Sequence, residues 1–296
     1  MKAVDLFCGG GLVTHSLRKL GFDVVCGVEN DPAMANVYAS HVDNDLIIDH
    51  VLSDNAIRRV TDHKPDLIWA SPPCTSFSNA KGTRPRQHHV CELSVNAAEI
   101  ISDIRPAVGI IENSRLIIGS DYFKRMIKIL QEAGYATQCP IVDASGLGSP
   151  AYRTRAFIVA TRFRMDKIKD VEPCTVYSGP PWIDETLPME TSIDIRSFHA
   201  ASEYDKVKEK SEWHTYQYFS GKPFRHISQT LFAMRTRYGS TIVAKDSMSR
   251  PMSPHECLTV MGAHDMNPSG TRNAVFKAAG NGVDVRASTY IINHIY

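Results

Sequence analysis

A cysteine follows two prolines in Ser71-Pro72-Pro73-Cys74-Thr75-Ser76-Phe77-Ser78. The apolar run Leu67-Ile68-Trp69-Ala70 before it reads as a short buried strand, which consecutive prolines cannot continue. The Cys74 thiol is thereby presented at a fixed strand-to-loop corner, where a nucleophile can face a ligand. A buried structural cysteine has the same local appearance, so the motif needs its company along the chain to be interpreted. Cys8, Cys26, Cys91, Cys139, Cys174 and Cys257 lack the diproline setting and read as structural. An odd total of 7 cysteines without paired spacing argues against a disulfide framework or a zinc site, so no metal is expected.

The other candidate for chemistry is Asp5-Leu6-Phe7-Cys8-Gly9-Gly10-Gly11-Leu12, a strand entering a glycine loop, with helix-forming Thr14–Leu20 behind it. Glycines let backbone turn sharply and approach a ligand closely. Val28-Glu29-Asn30 ends the next strand, about twenty residues on, where an acid commonly holds ribose hydroxyls. A dinucleotide enzyme suits this spacing as well, except that Thr14 stands where the fingerprint's third glycine belongs.

The elements that must position these groups follow from the apolar pattern. Strands are expected over Ala3–Phe7, Val24–Val28, Leu67–Ala70, Val108–Ile111 and Ala156–Ala160. Leu93–Ile104 and Tyr122–Ala133 carry helical periodicity, with Gly134 as a stop for the second. Such alternation predicts an α/β fold: a mixed, mostly parallel sheet covered on both faces, with ligands at the carboxyl ends of its strands. Beyond Phe163 the pattern is broken by Pro173, Gly179-Pro180-Pro181 and Pro188, which reads as a second, irregular domain. Ser253–Met261 reads as a short helix and Val283–Ile295 as a closing one.

With 296 residues, 43% hydrophobic and 22% charged, the chain suits one large domain plus a smaller one. No apolar stretch approaches the roughly 20 residues of a membrane span, and Asp5 interrupts what would otherwise resemble a leader. Reduced thiols in a cytoplasm are expected. The net charge of +1 is uninformative, but its distribution is not. Lys81, Arg84, Arg86, His88 and His89 precede the first acid, Glu92, and Lys222, Arg225, Arg235, Arg237, Lys245 and Arg250 face only Asp246. In the second stretch, arginines alternating with Thr236 and Tyr238 suit phosphate positioning and base-edge reading.

Taken in order, these segments resemble the DNA (cytosine-5) methyltransferases over nearly the whole chain. The glycine loop is similar to the family's first motif. Pro72-Pro73-Cys74 with Phe77-Ser78 resembles the catalytic motif, Glu112-Asn113 the glutamate motif, and Arg153-Thr154-Arg155 the paired-arginine motif. Ser253-Pro254-His255-Glu256-Cys257 through Met261-Gly262 and Gly280-Asn281-Gly282-Val283 resemble the last two. The resemblance implies a Rossmann-like S-adenosylmethionine-dependent domain over 1–162, a small target-recognition domain over 163–272, and a helix over 273–296 returning to the first. It assigns the cofactor to Phe7, Gly9, Gly11, Leu12, Glu29, Asn30, Asp49, Pro72, Leu93 and Asn281, and catalysis to Cys74, Glu112, Arg153 and Arg155. Ser76, Ser78, Lys81, Arg84 and Arg86 in a mobile loop, with Gln229, Thr230, Arg235, Arg237 and Tyr238, are assigned to nucleic acid.

The chemistry so implied is covalent catalysis. Cys74 adds to C6 of cytosine to activate C5, Glu112 steadies N3 and the exocyclic amine, and Arg155 holds O2 and orients Glu112. Because C5 is out of reach within a duplex, the base is flipped out. The implied partner is double-stranded DNA, met by a monomer in the cytoplasm of a prokaryotic or phage-infected cell. A cognate restriction endonuclease, an orphan role and phage protection all stay open as settings.

Three positions depart from the family pattern. Ala151-Tyr152 precedes Arg153 in place of a glutamine start, Ser114 replaces a hydrophobic residue after Glu-Asn, and Leu12 stands where a further glycine is common. Four alternatives stay open at this point: an RNA cytosine substrate, a modified one-carbon group from an altered sulfonium cofactor, a catalytically silent DNA-binding relative, and a nicotinamide oxidoreductase.

Overall fold

The computed structural model describes residues 1–73, 88–174, 183–184, 186–188, 214–219, 222–227, 241–245 and 248–296. The first half alternates strand and helix: β1 (Lys2–Leu6), α1 (Leu12–Lys19), β2 (Asp23–Glu29), α2 (Pro32–Ala39), β3 (Asp45–Ile48), α3 (Asp54–Asp62), β4 (Leu67–Ala70), α4 (His88–Ile104), β5 (Val108–Ser114) and α5 (Asp121–Glu132). Short strands β6 (Ala136–Gln138) and β7 (Ile141–Asp143) then lead to the long β8 (Thr154–Thr161). The sheet order is β3-β2-β1-β4-β5-β8-β6, with β7 also paired to β8. β3, β2, β1, β4 and β5 run parallel, whereas β8 is antiparallel to β5, β6 and β7. The sheet is therefore mixed and mostly parallel, as expected from the alternation.

From β1 the chain winds outward through β2 and β3, then returns to lay β4 on the other side of β1. That reversal leaves a crevice beyond the carboxyl ends of β1 and β4, the switch point where ligands bind in open α/β sheets. Register places Leu6 beside Ala70, so the glycine loop and the diproline leave the sheet side by side. The Ser71 N–H donates to the Leu6 carbonyl at 3.2 Å, which fastens the two together.

Alternation along the strands supplies two cores. Val4, Leu6, Ile68, Ala70, Ile111 and Ile158 face α3, α4 and α5. Ala3, Leu67, Trp69, Ile110, Phe157 and Val159 face α1 and the carboxyl-terminal helix α8 (Val285–Asn293). A third apolar cluster joins Leu12, Met34 and Val37 to helices α6 (Pro254–Val260) and α7 (Arg272–Asn281).

The irregular character expected beyond Phe163 is corrected in part. β9 (His214–Phe219), β10 (Lys222–Ile227), β11 (Thr241–Lys245) and β12 (Met248–Pro251) form an antiparallel sheet in the order β10-β9-β11-β12. Among the described residues no helix is long and apolar enough to cross a membrane.

Candidate active site

The crevice at the switch point is a cavity of about 280 Å³ lined from β1, β2, β4, β5, β8 and α7. Its floor is the glycine loop. Phe7 ends β1 with a φ of 58°, a left-handed conformation that costs a non-glycine residue about 1–3 kcal/mol and turns the chain out of the sheet. Gly10 is required by a close approach, because a Cβ there would lie 2.3 Å from the Ala278 Cβ on α7. Beneath the loop, Asp5 is fully buried and accepts from the Thr14 N–H at 3.1 Å and the Thr14 hydroxyl at 2.8 Å. It thereby caps the first turn of α1 from β1. Burial pushes its carboxyl up to about 7, against the lowering effect of Thr14. Tyr38 and Asn44 extend this buried network from Thr14 to the Val24 carbonyl.

Glu29 stands at the end of β2 and organises both sides of the cavity. One oxygen accepts from the Gly9 N–H at 2.9 Å, the other from the Asp31 N–H at 2.8 Å. Asp31 caps α2 and pairs with Lys277 of α7, bridging the cavity from one wall to the other.

The diproline is held from β5. The Asn113 amide donates to the Pro72 carbonyl at 3.4 Å and to the Ser94 hydroxyl at 3.2 Å. One residue earlier, Glu112 is 6% exposed and meets Arg155 Nε at 2.8 Å. The antiparallel register explains this pair: Phe157 lies opposite Glu112, and Arg155, two residues from it, shares its face. Arg153, two residues further, is also buried, and its guanidinium donates to the carbonyls of Gly280 (3.2 Å) and Gly282.

Of the residues singled out in the sequence, Phe7, Gly9, Leu12, Glu29, Asn30, Pro72, Glu112, Arg153, Arg155 and Asn281 line the cavity. Three do not. Gly11 caps α1 with a φ of 87° and turns toward Tyr38 and His41 instead. The Asp49 carboxylate is occupied by the Ser53 hydroxyl and the His50 N–H, both at 2.7 Å, which hold it below the usual carboxylate range. Leu93 packs from α4 onto the apolar core. Cys74, Ser76, Ser78, Lys81, Arg84, Arg86, Gln229, Thr230, Arg235, Arg237 and Tyr238 lie outside the described residues.

Arg250, grouped by sequence with the basic residues facing nucleic acid, belongs elsewhere. It is 5% exposed and forms a two-pronged pair with Glu256 at 2.7 and 2.8 Å. Sequence reasoning also missed Asp31, Lys277 and Ala278 as lining residues. The ion pair spans 246 residues, and local pattern carries no trace of it.

Two of the departures from pattern have a structural use. Ser114 caps the 3-10 turn Arg115–Ile117, and Leu12 packs where any side chain on Gly282 would collide with it, 2.9 Å away. Among the described residues Cys26, Asp45 and His63 bring possible metal-ligating atoms within 4.8 Å of one another. Asp45 is already paired with Arg59 and His63, and burial pushes the Cys26 thiol up to about 12. This trio is accounted for as a charge pair over the sheet edge.

A family model described as C-5 cytosine-specific DNA methylase matches residues 1–296. Type II methyltransferase M.HgiDI of Herpetosiphon aurantiacus is 31% identical over 163 residues, 55% of this chain and 52% of the relative. Type II methyltransferase M.HindV of Haemophilus influenzae is 31% identical over 160 residues, 54% and 52% of the two chains. The matches thus span about half the length of these relatives. Among solved structures, the Entamoeba histolytica methyltransferase EhMeth superposes with a TM-score of 0.72 at 14% identity, over 100% of this chain and 97% of that one. The S. pombe Dnmt2 methyltransferase gives 0.66 at 15% identity, over 99% and 97%. At these identities the superpositions speak to fold alone.

Proposed function

Because the chain belongs to the C-5 cytosine-specific DNA methylase family, we propose that it methylates C5 of a flipped cytosine in DNA, with Cys74 as nucleophile and S-adenosylmethionine as cofactor. The observation that carries this reading is the meeting of two half-sites at one cavity. The diproline that precedes Cys74 leaves β4 beside the glycine loop, and the Glu112–Arg155 pair joins the next two strands, β5 and β8.

The lining residues fit the cofactor. Phe7 offers a ring, Glu29 a carboxylate at the end of β2, and Gly10 keeps the loop free of a side chain beneath α7. Phe7, Gly9, Leu12, Glu29, Asn30, Pro72 and Asn281 are the residues we assign to it. When bound, the cofactor supplies an electrophilic methyl group on a sulfonium. The protein's residues must make C5 a nucleophile. Cys74, as thiolate, adds to C6 and pushes electron density through the ring toward C5. Glu112, buried and oriented by Arg155, contacts N3 and the exocyclic amine and steadies the ring as charge builds at N3. Loss of the C5 proton to a base then expels the Cys74 thiolate and restores the ring. Within its loop Cys74 needs a positive environment to ionise, which Lys81, Arg84 and Arg86 are suited to provide.

The proposal extends to setting. The chain acts as a monomer on double-stranded DNA in a bacterial or phage-infected cytoplasm, and its type II relatives suggest a cognate restriction endonuclease as companion. On this proposal the catalytic domain covers 1–162, the target-recognition domain 163–272, and residues 273–296 return to the first. Nucleoside mass spectrometry of DNA incubated with protein and S-adenosylmethionine tests it, with Cys74→Ala alongside. One added methyl on deoxycytidine with the parent protein, and none with Cys74→Ala, is expected. A folded protein that binds the cofactor yet leaves deoxycytidine unchanged overturns the reading.

A further inference from the structure

Both arginines of Arg153-Thr154-Arg155 were read from sequence as catalytic, but the structure gives them different partners. Arg155 holds Glu112, on the side of the target base. Arg153 reaches the other way, to the carbonyls of Gly280 and Gly282. We infer that Arg153 is a positioning residue for the cofactor wall, which fixes α7 and Asn281 over the glycine loop and does not itself act on the cytosine. The inference rests on the proposed cofactor site and deepens it.

The physical case begins with helix ends. The last carbonyls of a helix have no intrahelical partner and carry the negative end of its dipole. α7 ends at Asn281, and Gly282 N–H satisfies only the Ala278 carbonyl, at 2.9 Å. Arg153, just before β8 and 6% exposed, supplies two charged donors at that end from 127 and 129 residues away. The two carbonyls it holds flank Asn281, so its grip fixes the backbone on both sides of a residue exposed to the cavity. The same helix turn leaves no slack elsewhere, because Ala278 lies against Gly10 and Gly282 against Leu12. Arg153 immediately precedes β8, Arg155 lies within it, and both line the cavity. β8 is thus a beam with one hand on the cofactor wall and one on the catalytic glutamate.

The test is binding of S-adenosylhomocysteine by calorimetry without DNA, together with KM and kcat for S-adenosylmethionine. Arg153→Ala is expected to weaken binding on the order of ten- to a hundred-fold and to raise KM in proportion. Arg153→Lys keeps one charged donor, serves as the second variant should alanine fail to fold, and is expected to recover part of the loss. Arg155→Ala is expected to leave binding within about two-fold while lowering kcat, since it disorients Glu112 alone. Parent-level affinity in a folded Arg153→Ala or Arg153→Lys, with only kcat reduced, overturns the inference and returns Arg153 to the target base. Absence of binding by the parent protein overturns the cofactor reading itself.

Discussion

At the scale of residues, Asp5 shows how a site is held together by a group that does not react. It is fully buried, one oxygen serves Thr14, and the other has no partner among the described residues. Its carboxyl is raised from 3.8 to about 7, so the native state keeps a proton that the unfolded chain releases. The sign follows: Asp5 destabilises the fold least below its unfolded value, and increasingly as pH rises from about 4 to 7. Asp5→Asn keeps an acceptor for Thr14 and cannot ionise. We expect its thermal midpoint to fall less between pH 4 and 7 than that of the parent, a difference on the order of 2–4 kcal/mol over the window. Equal slopes in a pH series of melting curves count against this account. None of this was legible in sequence, where Asp5 was simply an acid inside an apolar run. By contrast Glu29 is legible from its place at the end of an apolar strand, and Phe7, Glu112 and Arg155 from the resemblance of their motifs to the family's.

At the scale of elements, the glycine loop and α7 fit as two surfaces without clearance. Gly10→Ala puts a Cβ 2.3 Å from that of Ala278, so either the loop or the helix must move. We expect a loss of about 1–3 kcal/mol in denaturant unfolding and weaker cofactor binding. Gly10→Ala with Ala278→Gly relieves the clash, and the double-mutant cycle is expected to show a coupling of at least about 1 kcal/mol. Additive losses contradict the packing argument. The expected strands match β1, β2, β4, β5 and β8 to within a few residues, since each is a short apolar run buried on both faces. β6 and β7 escaped, being three residues each and carried by pairing to β8. The single helix that the resemblance implies over 273–296 is two in the structure, α7 and α8, which part at Gly282, and α7 forms a wall of the cavity.

At the scale of the whole molecule, the small sheet is joined to the body by charge as well as by apolar contact. Arg250 on β12 pairs with Glu256 on α6, and Glu256 also accepts from the Asp184 and Ser253 N–H groups at 2.8 and 2.7 Å. Removing one partner of such a pair strands the other in the interior. Arg250→Ala is therefore expected to lose about 3–5 kcal/mol of stability. Its effect on DNA is the discriminating measurement. A phosphate contact would lower the slope of log affinity against log salt by about 1, whereas a structural strut leaves that slope alone. We expect the slope to be unchanged. Charge spacing in the sequence could not separate these roles, because it reports sign and not burial.

The cavity is also closed by segments far apart in the chain. The Ser16 and Ser288 hydroxyls, which bond at 2.8 Å between α1 and α8, are 272 residues apart, and Gly10 waits as long for Ala278. The loop, the diproline corner and Glu112 precede β8 in the chain, while α7 and α8, which cover them, follow the small sheet. Without those helices Leu12, Val13 and Leu17 lack the surfaces they pack on, and nothing encloses a ligand. An enclosed cavity therefore depends on α7 and α8 being brought back onto the glycine loop and α1.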